Sequence, residues 1–310
     1  QSETRTTQAD AIFDGLATVK GKADSKGLMW ALGNNRRALG ILATTADGKQ
    51  YYELDKEMNL IAKEDTETAE YIEDKFAVPS DVINIEENSV LIVDQKGRRW
   101  RLPLGDERYK EKIEKAELRI CREVSTERDL FSCFGTFYEL PAENADGFAK
   151  IRPVSSHKLA INDYASYRGM MMLTGIEHTK AKGNPHIVIS EDGKAAVWAG
   201  AIDDLWKLGK PVGHGGPWLE TEVKAREKSD PFLIGFYDKR EMTLSHAASS
   251  EVVFTVEVDP TGDGQWFKYA DFEVKPGASF KHKFPKAFQA RWIRVSTNVD
   301  TKATVNFEYR

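Results

Sequence analysis

Along most of this chain, apolar runs of strand length alternate with short polar turns, and glycine recurs at the turn centres. Gly48, Gly97, Gly147 and Gly193 are spaced 49, 50 and 46 residues apart. They sit in ILATTADGKQYYEL, VLIVDQKGRRWRLPL, TFYELPAENADGFAKIRPV and HIVISEDGKAAVWAG, each an apolar or aromatic run, an Asp/Gly turn and a second run. Two strand-like runs joined by such a turn make a hairpin. Hairpins recurring every 40 to 50 residues or so predict β-propeller blades.

The intervals between the hairpins carry weaker signals. Residues 1–26 are polar apart from Ala11 to Leu16 and read as a lead-in or the tail of a missing blade, while LMWAL at Leu28 to Leu32 reads as a strand feeding the first hairpin. The charged stretches Lys63 to Lys75 and Asp106 to Lys115 are too polar for core strands and predict a surface loop or short helix and a solvated insertion. The three methionines of RGMMMLTG are expected to pack between blades. From Gly209 the run GKPVGHGGPW breaks the pattern and reads as a linker or functional loop. Beyond Trp218, FLIGFYD, EMTLSH, VVFTVEVD, WFKYADFEV, SFKHKF, ARWIRVST and TVNFEY alternate in the manner of a small antiparallel β-sandwich. The expectation is an all-β chain: a β-propeller or partial propeller over 1–218 and a C-terminal β-sandwich over 219–310. Four repeats fit a four- or five-bladed ring, or part of a larger ring completed by a second chain.

Composition narrows the partners. The chain has 310 residues, 41% of them hydrophobic, and a formal net charge of −5, with no extended Lys/Arg cluster. That balance supports a real core and gives no electrostatic footprint for nucleic acid or an acidic membrane. No run approaches the roughly 20 apolar residues of a membrane span. A first residue of Gln rather than Met leads to the expectation of an exported protein, periplasmic or extracellular, in a bacterium. Cys121 and Cys133 are spaced so that neighbouring antiparallel strands would bring them within disulfide reach, the alternative being two buried thiols.

The densest candidate chemistry is SSHKLAINDYASYR, Ser155 to Arg168. His157, Asp163, Tyr167 and Arg168 are the candidate catalytic residues: a base, a carboxylate, a phenol and a guanidinium of the kind that abstracts a proton beside a uronate carboxylate. Their alternative role is to anchor the loop by hydrogen bonds. Candidate substrate-binding residues are Arg36, Glu139, Asn162, Tyr164, Asp203, His214 and Trp218. Glu139, Asp163, Asp203 and Asp204 are the carboxylates from which a hydrolase would draw its pair, although Asp203 and Asp204 also suit a helix cap. His214 and Trp218 offer an imidazole among glycines and an indole that stacks on a sugar. Trp266, Tyr269 and Trp292 are possible platforms on the sandwich, which otherwise serves to buttress the propeller. No metal or organic cofactor is expected; DPTGDGQ at Asp259 has oxygen ligands suited to calcium but reads first as a turn. No GxSxG, HExxH, Walker or Rossmann pattern is present.

The runs ERDLFSCFGTFYELP, IRPVSSHKLAINDYASYRGMMMLTG, IDDLWKLGKPVGHGGPW and SDPFLIGFYDKREMTLSH resemble a family of uncharacterised exported proteins from polysaccharide-degrading bacteria, over Glu127 to Arg310. The resemblance implies a β-propeller followed by a C-terminal sandwich and a carbohydrate-related role, with an oligosaccharide or polysaccharide as partner. It implies no particular catalytic residues. The expected function is therefore a glycoside hydrolase or uronate-directed polysaccharide lyase acting on the channel face, the alternative being a non-catalytic glycan-binding or scaffold protein.

Overall fold

The computed structural model describes residues 28–32, 38–45, 47–75, 83–94, 96–114, 121–125, 128–159, 161–175 and 183–310. Ala11 to Leu16 and the Gly33 to Arg37 corner, with candidate Arg36, lie outside them. The chain is all-β and divides into two compact units, one from 1–81, 108–137 and 157–208, the other from 82–107, 138–156 and 209–310. Among the described residues no helix is long and apolar enough to cross a membrane.

The first unit opens with a four-stranded antiparallel meander of the kind that forms a propeller blade: β1 (Leu28–Leu32), β2 (Ala38–Thr45), β3 (Gly48–Asp55) and β4 (Leu60–Lys63), ordered as in sequence. Gly48 takes φ +113 where Thr45 pairs with it across the first hairpin, a conformation glycine adopts without a Cβ clash. Tyr52, Leu54 and Leu60 are fully buried, and each such apolar side chain contributes roughly 1.5–3 kcal/mol. The charged stretch after β4 is a helix, α1 (Thr66–Lys75), because Asp65 caps it: its carboxylate accepts the Thr68 N–H at 2.9 Å and the Thr68 hydroxyl at 2.7 Å.

The second repeat hairpin belongs elsewhere. β5 (Asn84–Ile85), β6 (Val90–Val93) and β7 (Arg99–Leu102) lie in the second unit. The chain then returns to the first unit through α2 (Arg108–Glu114) and the hairpin β8 (Cys121–Ser125) and β9 (Arg128–Cys133). Cys121 pairs opposite Phe131, so Cys133 falls two residues further along and the two are not joined. β10 (Thr136–Pro141) carries the chain out again to β11 (Arg152–Ser156). A second four-stranded antiparallel sheet completes the first unit: β12 (Tyr164–Tyr167), β13 (Met170–Leu173), β14 (Ile187–Ile189) and β15 (Ala196–Gly200), ordered β12-β13-β15-β14. Met171 and Met172 are buried in its middle strand. The Tyr52 hydroxyl donates to Asp192 at 3.0 Å in the β14–β15 turn, tying the two sheets; burial and that carboxylate push the Tyr52 pKa up.

The second unit is a two-sheet sandwich, its strands antiparallel except where β17 meets β7. Its strands are β16 (Gly213–Val223), β17 (Phe232–Leu233), β18 (Arg240–His246), β19 (Val252–Asp259), β20 (Phe267–Val274), β21 (Phe280–Lys283), β22 (Trp292–Thr297) and β23 (Thr301–Tyr309). One sheet runs β16-β23-β18-β21, the other β20-β19-β22-β17-β7-β6-β5. Strict alternation in β18 and β19 turns one face inward, and Phe232 stacks on Phe307 across the sheets at 5.1 Å. β17 pairs parallel to β7, with the Arg101 N–H on Pro231 O at 2.8 Å, so residues 84–102 join the sandwich sheet. GKPVGHGGPW, read as a linker or loop, instead runs into a strand, because its glycines admit other backbone: a Cβ on Gly215 would meet Asn88 O at 2.2 Å, and one on Gly216 would meet Val305 O at 1.9 Å. Trp292 is no surface platform; it is fully buried, lies 4.7 Å from Trp100 and donates its indole N–H to Ala149 O at 2.8 Å.

Two predictions follow from this packing. Gly216→Ala drives a methyl group into the β23 backbone and is expected to lower stability by about 3 kcal/mol, read as a lower midpoint in urea unfolding. The second concerns Asp94, in the β6–β7 turn. Its buried carboxylate accepts the Arg98 Nε–H at 2.7 Å and the Lys96 and Arg98 backbone N–H and Trp100 indole N–H at 2.9 Å each. Burial raises its pKa, but those hydrogen bonds outweigh burial and hold the group below its usual range. A depressed folded-state pKa gives stability that is present above the unfolded value near about 3.9 and lost as pH falls through the folded value. Asp94→Asn should cost about 1–3 kcal/mol at neutral pH and flatten the acid limb of the stability profile; an unchanged limb would assign that limb to other carboxylates.

Candidate glycan-binding surface

The segment from Ser155 to Arg168 was the densest candidate, and its side chains are mostly turned inward. His157 is 4% exposed; its backbone N–H donates to Gly135 O at 2.8 Å, its Nδ1 lies 3.2 Å from the Tyr109 hydroxyl, and its ring packs 4.8 Å from Phe137. Asn162 and Asp163 extend the β12–β13 ladder: Asn162 N–H donates to Thr174 O and Thr174 N–H to Asp163 O, both at 2.9 Å. The Asp163 carboxylate accepts the Tyr164 N–H at 2.7 Å. Tyr164 is buried with its hydroxyl on Leu130 O at 2.6 Å, and Tyr167 is buried beside it on β12, its pKa raised by desolvation. Of the four candidate catalytic residues only Arg168 is exposed, at the tip of the β12–β13 hairpin with φ +50, followed by Gly169 at φ +79. Tyr167 pairs with Met170, so Arg168 and Gly169 form a two-residue turn with both φ angles positive. The base, carboxylate and phenol are thus held in buried packing and the guanidinium stands in solvent. Proton abstraction needs all of them converging on one substrate atom.

The remaining candidates are spread over both units. Glu139 on β10 accepts Arg152 Nε–H at 2.9 Å. His214 is half-buried within β16, where its backbone exchanges hydrogen bonds with Leu104 at 2.8 and 2.9 Å, and Trp218 further along that strand is buried. The Asp259 carboxylate, considered for calcium, accepts N–H groups from Thr261, Gly262 and Gly264 at 3.2, 2.7 and 2.7 Å. It therefore shapes its own turn. Among the described residues no group of three or more His, Cys, Asp or Glu is placed to hold a metal ion. A shallow groove of about 450 Å³ runs beside α1, lined by Lys49, Gln50, Lys63, Glu64, Glu70 and Glu73, with Lys49 ion-paired to Glu73. Its lining carries both signs of charge and no exposed aromatic face.

Besides Arg168, the described candidate that reaches solvent is Asp203, and it comes with a residue the sequence pattern undervalued. Ile202–Lys207 is a 3-10 turn following β15. Asp204 caps it, accepting the Ala201 N–H at 2.9 Å and pairing with Lys207 at 2.6 Å, while Leu205 is buried beneath. These contacts hold the Asp204 carboxyl below its usual range, the Lys207 hydrogen bond being the largest cause. With Asp204 engaged, Asp203 is left exposed, and Trp206, three residues on, is 52% exposed. Side chains at i and i+3 eclipse in a 3-10 turn. An indole and a carboxylate therefore share one face of a capped, anchored element.

No protein-family description matches the chain, and no curated protein matches it. Among solved structures, PirA is 16% identical with a TM-score of 0.19, spanning 32% of this chain and 84% of its own. A glycoside hydrolase is 11% identical at a TM-score of 0.19, spanning 91% of this chain and 84% of its own. A glycoside hydrolase family 43 arabinoxylan arabinofuranohydrolase from Bacillus subtilis is 8% identical at a TM-score of 0.20, spanning 92% of this chain and 68% of its own. At these TM-scores the likenesses carry no argument about activity.

Proposed function

We propose that this protein is a carbohydrate-active protein that binds glycan chains, with Trp206 as a stacking platform and Asp203 as the hydrogen-bond acceptor for sugar hydroxyls. The observation that carries the reading is the exposed indole beside an unburied carboxylate on a turn already fixed by the Asp204 cap and the Leu205 anchor. An aromatic face supplies apolar contact to the C–H side of a sugar ring, and a carboxylate held nearby selects its hydroxyls. A rigid turn loses little side-chain freedom on binding, which favours affinity. The reading is of a binding protein: hydrolysis calls for a second acid–base group across the glycosidic bond, and of the residues considered for lyase chemistry His157, Asp163 and Tyr167 are buried while Arg168 is exposed. The natural setting of such a role is outside the cytoplasm, in the periplasm or beyond, where polysaccharides are met.

Affinity electrophoresis of the whole protein in gels carrying neutral or uronate-containing polysaccharides tests this. Retardation by at least one polysaccharide is expected, and Trp206→Ala and Asp203→Asn should each weaken it about tenfold or more while both variants remain folded by circular dichroism. Equal retardation of wild type and Trp206→Ala would remove the platform from the account. Sugar release by the wild-type protein that survives Asp203→Asn would reinstate catalysis at another site.

A further inference from the structure

Trp266, one of the aromatic residues considered as platforms on the sandwich, owes its position to a break in the register of β20. Val274, Phe272 and Ala270 pair with Val252, Phe254 and Val256, which are fully buried and face the core. Alternation carried on unbroken would turn Lys268 and Trp266 inward as well. A bulge intervenes: Val256 pairs with Ala270 but Glu257 pairs with Lys268, so Tyr269 is the extra residue and those before it change face. Tyr269 packs 5.5 Å from Phe284 and 5.2 Å from Phe288, with its hydroxyl 2.9 Å from His282 Nε2. Trp266 passes to the outer face of the seven-stranded sheet, over Arg294, which pairs opposite Glu257.

The indole is fixed from two sides. Before it, the 259–265 turn is held by the Asp259 carboxylate, by the Gln265 N–H on Asp263 at 3.0 Å and by Lys150 Nζ on Thr261 O at 2.7 Å. Beneath it, the Arg294 guanidinium lies 4.2 Å from the ring centroid, within cation–π range. Arg294 is itself held by Glu257 through Nε at 2.8 Å, and Glu257 also takes Lys228 Nζ at 3.1 Å. On the same face Lys268 pairs with Asp271 at 2.5 Å, and Asp271 accepts the Thr255 hydroxyl at 2.9 Å. Each of these cations has a carboxylate partner. What stays open is the indole: Trp266 is half-buried, Arg294 covers one face, and among the described residues no other ring or cation stacks on it and its Nε1–H meets no protein acceptor.

We propose that Trp266, backed by Arg294, forms a second glycan site on the outer face of the seven-stranded sheet, for a neutral sugar ring. The C–H face of the sugar packs on the indole face turned away from Arg294, and the indole N–H donates to a hydroxyl oxygen. A ring already held by its turn and by a guanidinium loses little freedom on binding. Because the flanking cations are paired with carboxylates, the site offers apolar contact and hydrogen bonds rather than a charge for an acid or an amine. Arg294 acts as a positioning residue. The proposal rests on the reading of the protein as glycan-binding and adds a site in the other unit, with a stated preference for uncharged sugars.

The test is titration calorimetry of the full chain carrying Trp206→Ala, which leaves this site to report alone. The ligands are neutral hexasaccharides of glucan, xylan and galactan type and an oligogalacturonate, at low and high salt. At least one neutral hexasaccharide is expected to bind about tenfold tighter than the acidic oligomer, with little change with salt. Adding Trp266→Ala should abolish that binding, while Trp266→Tyr, which keeps a ring, should retain it within about tenfold. Arg294→Lys, which keeps a cation on Glu257 but removes the flat backing, should weaken it about threefold or more. Circular dichroism checks that each variant is folded. Neutral-sugar binding by Trp206→Ala that survives Trp266→Ala overturns the proposal, as does binding confined to the acidic oligomer or lost at high salt. Wild-type binding that vanishes in Trp206→Ala also overturns it and leaves the Trp206 reading standing. Binding unchanged in Trp206→Ala and lost with Trp266→Ala upholds this site and removes the Trp206 platform. No binding by the wild type to any oligomer overturns both.

Discussion

The sandwich unit depends on one seam, the parallel pairing of β17 with β7. It brings a hairpin from early in the sequence against strands more than a hundred residues later and so makes a seven-stranded sheet. Backbone pairing there is short, a single residue pair, and side chains complete it. Arg101 donates from Nε to Asp230 at 2.9 Å and from Nη1 to Ser89 at 2.7 Å and to Glu86, while neighbouring Arg99 reaches the same Asp230 at 2.9 and 3.1 Å. Arg101 is buried, so removing Asp230 would leave a cation out of water with one carboxylate fewer to answer it, a loss on the order of 3–5 kcal/mol. Alternation alone would accept β7 in any sheet with an open edge. This ion pair fixes which edge it joins.

The local elements were legible because their physics is local. Gly97, Gly147 and Gly193 have φ of +74, +50 and +68, which is why glycine stands at those turns, and the strands that flank them read directly from apolar runs. The destination of the β6–β7 hairpin was not legible, since nothing within it names Asp230. Gly215 and Gly216 misled for a related reason. A glycine required because another backbone passes within van der Waals distance looks, in one dimension, like a glycine required for a bend.

The candidate chemistry misled in a different way. A polar and aromatic run such as His157 to Arg168 looks like an active site because buried β-strands and active sites ask for the same residue types. Buried backbone must still be hydrogen-bonded, and the His157 and Asn162 N–H groups donate to Gly135 and Thr174 O, while the Tyr164 hydroxyl donates to Leu130 O. Asp203 was legible as a candidate, whereas its partner was not: whether Trp206 lies in the core or in water depends on which of Leu205 and Trp206 the turn buries, and the Asp204 cap decides it.

Two of the exposed aromatic residues, Trp206 and Phe236, are held outward by different devices. Trp206 stands on a turn whose cap, Asp204, and anchor, Leu205, are separate residues, so its exposure involves no left-handed backbone. Phe236 is kept out by a left-handed backbone and lies over the Arg291 guanidinium, while Tyr237 beside it takes the buried position against Tyr309. In both places the neighbouring residue that is buried, Leu205 or Tyr237, decides which side chain is left in water, so exposure is set by the turn rather than by residue type.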